Sequence, residues 1–236
     1  MTAGFRYTKP GGATAQIDNE YSNLVLREKR TFVVPLGAEW YIGTTTISGS
    51  PDSVIAFSAD QFCGLLGSSQ SGQTWTLVFA ARANAPAPTV TIYSFDQAGY
   101  GQQYEFANAA LEIWKPDGTR AFSSRLKYLR PIDTLSEVVP PTQPMTPATR
   151  IYGGGVLPAV VVGNLFYSNF YQLTSPGPQP DFMWIQIWSS VRMGAGGRLD
   201  VDQSARITGP YRSGTALTPE PDQPAWTYTV LDVSGL

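Results

Sequence analysis

The fold class follows from one stretch of the chain, Thr74-Trp75-Thr76-Leu77-Val78-Phe79-Ala80-Ala81. Apolar and polar residues alternate at its start, which places Trp75, Leu77 and Phe79 on one face of an extended backbone. A repeat of two residues is the signature of a β-strand with one face buried. We therefore predict a strand at residues 74–81.

The same strand-like character recurs along the whole chain. Trp226, Tyr228 and Val230 alternate with polar residues, and residues 182–188 are apolar on both faces, as a central strand would be. Further candidate strands are residues 24–27, 31–35, 54–57, 89–95, 111–114, 126–130, 166–173 and 205–207. About 12 short strands separated by turns predict an all-β protein, an antiparallel β-sandwich with at most one short helix.

Two local patterns make more specific predictions. Ser58-Ala59-Asp60-Gln61 matches a capping box, which predicts a short helix through Phe62, Leu65 and Leu66 that Gly67 ends. The Pro-rich residues 84–88 predict a hairpin loop between the strands on either side. Other Pro-rich stretches, which we interpret as stiff loops or extended arms, are residues 140–147, 176–180 and 219–224.

The chain divides into two β-rich halves, residues 1–104 and 105–236, which form either two sandwich halves or one domain. The turn signal Lys9-Pro10-Gly11-Gly12 returns as Lys115-Pro116-Asp117-Gly118, about 106 positions later. An apolar-polar run follows each copy within a dozen residues. A strand–turn–strand unit used twice explains this echo, and so does chance, since such turns are common.

Composition excludes several classes of function. The chain has no histidine and one cysteine, Cys63, so His-based triads, Cys/His dyads, most zinc sites and disulfide frameworks are ruled out. The net charge is −2 without a basic stripe, and we expect no nucleic-acid partner. We also expect no cofactor and no metal. The apolar residues around Cys63 predict a buried structural thiol.

The sequence predicts neither a signal peptide nor a membrane span. Residues 1–6 contain no apolar stretch behind positive charge. The most apolar run, residues 156–166, is interrupted by Pro158, Gly163 and Asn164 and is about half the roughly 20 residues that a bilayer requires. We therefore expect a soluble protein that is made in a cytoplasm and does not insert into membranes.

Two pairs of acids could serve as carboxylate pairs or calcium ligands. Asp200 and Asp202 lie two residues apart, but solvated acids beside Arg198 and Arg206 are the favoured interpretation. Asp18 and Glu20 are expected to form surface salt bridges with Arg27, Lys29 and Arg30. We therefore predict no catalytic residues.

Aromatic residues near loops either stack on sugars, anchor protein interfaces or pack in the core. The densest group is Phe166-Tyr167-Ser168-Asn169-Phe170-Tyr171. We predict that Phe166, Tyr167, Phe170 and Tyr171 form a recognition surface.

Residues 15–29 (AQIDNEYSNLVLREK) and 110–124 (ALEIWKPDGTRAFSS) resemble segments of small β-rich tail-tip and tail-fibre-associated proteins of long-tailed bacteriophages. Those proteins carry an "Ile-Asp-x-x-Tyr-x-Asn-Leu" segment and a "Gly-Leu-x-Val-x-Asn-x-x-Gly-x-x-x-Phe-Asp-Ser" hairpin. The resemblance implies a non-enzymatic structural component of a virion, assembled in the host cytoplasm. Its expected partners are other tail proteins, further copies of itself, and a host receptor or glycan.

Two other functions stay open from the sequence. The first is a carbohydrate-binding β-sandwich module, which predicts two or three coplanar aromatic rings on one face. The second is a glycan-cleaving enzyme, which predicts two carboxyl groups about 5 to 9 Å apart in a groove.

Overall fold

A computed structural model of the chain describes residues 4–8, 14–18, 24–37, 40–82, 86–100, 112–115, 117–139, 144–175, 181–212 and 225–236. The described residues are almost entirely β-strand, and every pairing among their strands is antiparallel. They contain no α-helix and one 3-10 turn, Ala98–Tyr100. The predicted all-β fold with sandwich-like packing is thus confirmed.

Seventeen strands run through the described residues. Their bounds are β1 (Gly4–Thr8), β2 (Thr14–Asp18), β3 (Val25–Val33), β4 (Trp40–Ser48), β5 (Val54–Ala59), β6 (Cys63–Ser71), β7 (Thr74–Arg82), β8 (Thr89–Asp96), β9 (Glu112–Trp114), β10 (Arg120–Ser123), β11 (Pro131–Val138), β12 (Ala148–Ile151), β13 (Pro158–Asn164), β14 (Tyr167–Ser175), β15 (Asp181–Gly194), β16 (Arg198–Arg212) and β17 (Ala225–Asp232).

Two large sheets hold most of these strands. A six-stranded sheet has the order β11-β17-β13-β5-β8-β3. A seven-stranded sheet has the order β12-β16-β15-β6-β7-β4, and β14 joins it by pairing with β15. Two further hairpins, β1-β2 and β9-β10, form small sheets of their own.

The main core lies between the two large sheets, where alternate residues of facing strands meet. Phe57 of β5 and Phe79 of β7 pack edge to face, with their ring centroids 5.2 Å apart. Tyr228 of β17 is fully buried, and its hydroxyl bonds that of Ser189 on β15 at 2.8 Å. Both contacts join one sheet to the other, so the sandwich has a continuous interior.

The predicted helix at residues 58–67 is wrong. Residues up to Ala59 complete β5 and residues from Cys63 onward form β6. Ala59 pairs with Val90 in one sheet, while Cys63 pairs with Ala81 in the other. Both side chains are buried in the main core, so burial and strand pairing outweigh the local capping signal at this crossing.

The predicted hairpin between residues 74–81 and 89–95 is also wrong. β7 pairs with β4 and β6 in the seven-stranded sheet, whereas β8 pairs with β3 and β5 in the six-stranded sheet. The connection between them therefore crosses from one layer to the other. β7 and β8 each have one face rich in buried side chains. When the two strands lie in opposite layers of the sandwich, these two faces can pack against each other and form the core.

The strand orders of both large sheets contain a repeat. The first half supplies β5-β8-β3 and the second half supplies β13-β17-β11, each counted outward from the centre of the six-stranded sheet. In the seven-stranded sheet the corresponding sets are β6-β7-β4 and β15-β16-β12. The halves meet through the antiparallel pairs β5/β13 and β6/β15, as two copies related by a two-fold axis would.

The register of the strands repeats as well. The β3/β8 ladder shifts by one residue between Leu26 and Glu28, and the β11/β17 ladder shifts between Pro131 and Asp133. A bulge at the same place in both ladders is a structural counterpart of the echo in the sequence. The turn at residues 115–118 is confirmed, because the Gly118 N–H donates to the Lys115 carbonyl at 3.0 Å. The turn at residues 10–12 lies outside the described residues.

The segments that lead into β3 and β11 lie beside each other. The Leu129 N–H donates to the Leu24 carbonyl at 2.9 Å, and the Leu26 N–H donates to the Lys127 carbonyl at 2.7 Å. Leu24 and Leu129 also cover a second apolar cluster that includes Leu26 and Leu231. The two halves are therefore joined at this cluster in addition to the two central strand pairs.

Asp96 ends β8 and is the most heavily bonded side chain among the described residues. Its fully buried carboxylate accepts hydrogen bonds from Arg27 at 2.7 Å, from the Ser50 N–H at 3.0 Å and from the Ser53 hydroxyl at 2.7 Å. The Ser50 hydroxyl and the Gln97 N–H add two more, at 2.9 and 2.8 Å. Asp96 thereby fixes β3 and the β4–β5 connection to the end of β8.

These contacts make Asp96 a source of pH-dependent stability. Burial alone would raise the pKa of Asp96, but the hydrogen bonds from Ser50, Ser53, Arg27 and Gln97 together lower it to about 2. A carboxyl group with a lowered pKa in the folded protein stabilises it above the unfolded value near 3.8 and loses this contribution as the pH falls toward 2.

We predict that Asp96→Asn removes an acid-sensitive stabilisation of about 2 kcal/mol. Urea unfolding from about pH 5 to pH 2 should show a weaker loss of stability with acid in the variant than in the unchanged protein. Asp232→Asn is the comparison variant, since Asp232 ends β17 but is partly exposed and lies 3.3 Å from an exposed Arg130. Burial alone would raise the pKa of Asp232, but hydrogen bonds from Ser234 lower it, so this variant should change the acid dependence in the same direction and by less. Equal acid dependence in the Asp96 variant and the unchanged protein would contradict the prediction.

Candidate recognition surface

The second half contains an antiparallel arm that has no counterpart among the described residues of the first half. β15 and β16 have 14 and 15 residues, whereas the corresponding strands β6 and β7 have 9 each. β14 pairs with the extra length of β15, from Tyr167↔Trp188 to Ser175↔Asp181. We define the arm as residues 167–175, 181–188 and 203–212; it contains three of the four predicted recognition residues.

The structure describes the side chains of two of those four residues, Phe166 and Tyr167. Phe166 is 6% exposed and belongs to the main core, so it is not available to a partner. Tyr167 is half-buried, and its hydroxyl oxygen accepts a hydrogen bond from the Gln186 side chain at 2.7 Å. Phe170 and Tyr171 pair through their backbones with β15, and their side chains lie outside the described residues.

A group of aromatic and polar side chains continues from Tyr167 across the outer face of the seven-stranded sheet. Arg206 donates a long hydrogen bond to the Gln186 side chain at 3.4 Å. The guanidinium carbon of Arg206 also lies 4.6 Å from the ring centroid of Trp40. Tyr167, Gln186, Arg206 and Trp40 thus form a connected row of half-buried side chains, which we call the outer row.

Trp188 is a buried side chain that packs against Trp40 of the outer row. It is 1% exposed, and its ring centroid lies 5.5 Å from that of Trp40 at an interplanar angle of 56°. A Cβ atom at Gly64 would lie 2.5 Å from the Trp188 ring, so β6 needs glycine at this position. The angle between the two indoles means that they do not form the coplanar platform expected of a carbohydrate-binding module.

Sequence reasoning did not identify Gln186, Arg206 or Trp188 as parts of a surface. The sequence does indicate that Gln186 and Trp188 lie on the same face, because alternate residues of the predicted strand at residues 182–188 share a face. Arg206 joins them because β16 pairs with β15 in the register Gln186↔Arg206. That register is a long-range property that the single sequence does not specify.

The expectation that Asp200 and Asp202 are solvated is wrong for Asp200. Asp200 is 4% exposed and accepts hydrogen bonds from Thr149 at 2.7 Å, Arg192 at 2.9 Å and Arg198 at 2.8 Å. Burial alone would raise its pKa, but these three partners outweigh burial and lower the pKa. Asp200 is therefore a structural carboxylate that stays ionised and cannot donate a proton near neutral pH.

The second acid pair is not described at the level of side chains. The Asp18 side chain and the whole of Glu20 lie outside the described residues. The basic residues expected near them have other partners, because Arg27 binds Asp96 and Arg30 donates to the Thr46 carbonyl. Within the part of the chain that the structure describes, no cluster of three acidic or cysteine side chains could hold a metal ion.

Cys63 is fully buried, which confirms that it is a structural thiol. Burial raises the pKa of the Cys63 thiol far above its ordinary value. Because the thiolate is the reactive form, the side chain is protected both by lack of access and by protonation.

We predict that Cys63 reacts with a thiol reagent such as DTNB only when the protein unfolds. Mixing the native protein with the reagent at pH 8 should give a labelling rate that follows the opening of the core, and denaturant should make labelling immediate. Ser69→Cys on β6 is a suitable control, because position 69 is exposed on the same strand and should react at once. Rapid labelling of Cys63 in the native protein would contradict its assignment to the core.

Comparisons with family models, with curated proteins and with solved structures find no match for this chain. The resemblance to phage tail proteins therefore stays a prediction from two segments of the sequence. In the described residues no helix has the length and apolar character needed to cross a membrane.

Proposed function

We propose that the chain is a structural component of a bacteriophage virion, located in the distal tail as part of the tail tip or a fibre. It works through protein–protein contacts and does not need catalytic chemistry for this role. The two sequence segments that resemble tail proteins suggest the setting, and the arm is the structural observation that carries the proposal.

The arm supports a docking role because the fold does not require it. In the seven-stranded sheet the first half has β6 and β7 of 9 residues each, where the second half has β15 and β16 of 14 and 15. β12 flanks β16 only over residues 198–201, so the rest of β16 has no second neighbour among the described strands. Ile207, on this part of β16, is 52% exposed. An extended, partly apolar strand of this kind suits contact with a neighbouring subunit.

The outer row favours one second candidate, a carbohydrate-binding module. Aromatic rings, an amide and a guanidinium group are the side chains with which proteins bind sugars and other polar ligands. The 56° angle between Trp40 and Trp188 counts against a flat sugar platform. A glycan screen distinguishes the two functions, since the structural role requires no glycan and the module does.

We predict that an antibody raised against the purified chain labels the distal ends of phage tails. The particles should come from cells that carry the gene for this chain together with its neighbouring genes. Gold-labelled antibody observed by electron microscopy should mark one end of the tail. Complete absence of the chain from purified particles would overturn the proposal.

An arm variant makes this experiment specific. Residues 167–185 and 207–224 are each replaced by a short Gly-Ser link, which gives β15 and β16 the lengths of β6 and β7. We expect this variant to retain its β-sheet circular dichroism and a cooperative unfolding transition, because the core residues Phe166 and Trp188 remain. We also expect it to be missing from the tails, whereas Cys63→Ser, an internal control, should still be incorporated.

A further inference from the structure

The outer edge of the seven-stranded sheet is covered in the first half. Four main-chain groups on the free side of β4 are satisfied by β3 or by the segment that joins β3 to β4. The pairs are Gly37 N–H to Trp40 carbonyl (2.7 Å), Ile42 N–H to Pro35 carbonyl (3.1 Å), Arg30 guanidinium to Thr46 carbonyl (2.7 Å) and Ser48 N–H to Glu28 carboxylate (2.7 Å). A strand protected in this way cannot accept another strand.

The corresponding edge of the second half is built differently. β11 stands where β3 stands in the first half, and β12 stands where β4 stands. The repeated register places Asp133 and Leu135 at the positions of Glu28 and Arg30. Leu135 is buried in the core, and the Asp133 carboxylate accepts a hydrogen bond from the Tyr152 hydroxyl at 3.0 Å. Neither side chain is recorded as bonding to β12.

Among the described residues the edge of β12 is open at Ile151, while the Thr149 carbonyl accepts a hydrogen bond from the Arg150 guanidinium at 3.2 Å. The β12/β16 ladder ends at the pair Ile151↔Arg198, and Arg198 is the first residue of β16. The corresponding β4/β7 ladder ends at the pair Ser48↔Thr74, and Thr74 is the first residue of β7. Ile151 of β12 thus corresponds to Ser48 of β4, whose N–H donates a hydrogen bond to the Glu28 carboxylate. The Tyr152 N–H donates to the Gly197 carbonyl at 3.1 Å, so the alternation of an antiparallel ladder turns the Ile151 N–H and carbonyl away from β16, toward the free side of the described strands.

Exposed apolar side chains accompany this open edge. Ile151 is 72% exposed and Ile132 42%. They lie at one end of the edge, because Tyr152, which follows Ile151, bonds Asp133, which follows Ile132. Val138, at the other end of β11, is 73% exposed. An unpaired strand beside exposed apolar side chains is the usual form of a β-sheet interface.

We propose that the β11/β12 edge pairs antiparallel with the same edge of a second copy of this chain, about a two-fold axis. The two halves of the chain already meet in this manner, through β5/β13 and β6/β15 in both sheets. An antiparallel edge is complementary to itself in its N–H and carbonyl groups, and an apolar patch is complementary to itself as well. This inference specifies one partner for the proposed structural role, a second copy of the chain, and it rests on that proposed role.

The experiment is the mass in solution, measured by light scattering over a concentration series. We expect the unchanged protein to move from 25.6 kDa at high dilution toward twice that mass as the concentration rises. Val138→Lys and Ile151→Lys should each raise the dissociation constant about tenfold or more, because a lysine at either end of the edge would be buried against apolar side chains of the second copy. Both positions are exposed in the single chain, so folding should be preserved.

Val33→Lys is the matched control. Val33 ends β3 as Val138 ends β11, and it is 56% exposed. It lies on the covered side of the sandwich, so its substitution should leave the dimer unchanged. The inference is overturned if the unchanged protein is a monomer at every concentration, if the Val138 and Ile151 variants dimerise normally, or if the Val33 variant dissociates as they do.

The two proposals fail separately. A dimer that is sensitive to Val138 and Ile151 but absent from phage particles would refute the virion role and support the edge contact. A chain that labels tail ends but stays a monomer would refute the edge contact and support the virion role.

Discussion

Every strand at the edge of a sheet presents N–H and carbonyl groups that require a partner, and this constraint organises the molecule. The central strands of the two halves meet this constraint in part by pairing with each other at one residue pair in each sheet, Phe57↔Val160 and Cys63↔Val191. The outer edge of β4 satisfies it through Arg30, Glu28 and the connection from β3. Within the described residues the outer edge of β12 is satisfied at the Thr149 carbonyl by the Arg150 guanidinium and stays open at Ile151. The edge hydrogen-bonding groups are therefore handled differently at three places: the centre of the two sheets, the edge of β4 and the edge of β12.

The repeat explains why the two halves share one interior. Separation of the halves would expose β5 and β6, each with a fully buried residue at the joint, Phe57 and Cys63. The halves are nevertheless not equivalent in stability. Asp96 is fully buried with five hydrogen bonds, whereas Asp232 at the same place in β17 is partly exposed beside an exposed arginine. The first half therefore carries more of the acid-sensitive stability, since a buried ion pair is screened less than an exposed one.

Several local patterns in the sequence predicted local structure correctly, but the predicted strand at residues 126–130 is wrong, because only Tyr128 forms an isolated bridge there, with Val25. The alternation at residues 74–81 and 226–230 matches β7 and β17, and the turn at residues 115–118 has the expected hydrogen bond. The errors at residues 58–67 and 84–88 have a common cause. In both places the chain passes from one sheet to the other, and the layer to which a strand belongs depends on distant partners. The outer row was missed for the same reason, since the β15/β16 register brings Arg206 to Gln186.

A repeat within one chain also provides an internal standard for separating fold from function. What both halves share, namely the two sheets, the bulges and the aspartate that ends β8 and β17, is sufficient to build the sandwich. What only one half possesses must be explained otherwise, because its absence from the other half shows that the fold does not require it. The arm and the uncovered edge of β12 are such features, and both lie in the second half. The Asp96 cluster is also confined to one half, but its buried charge and its contacts assign it to stability. We therefore expect a partner to bind the second half, where the arm and the open part of the β12 edge lie.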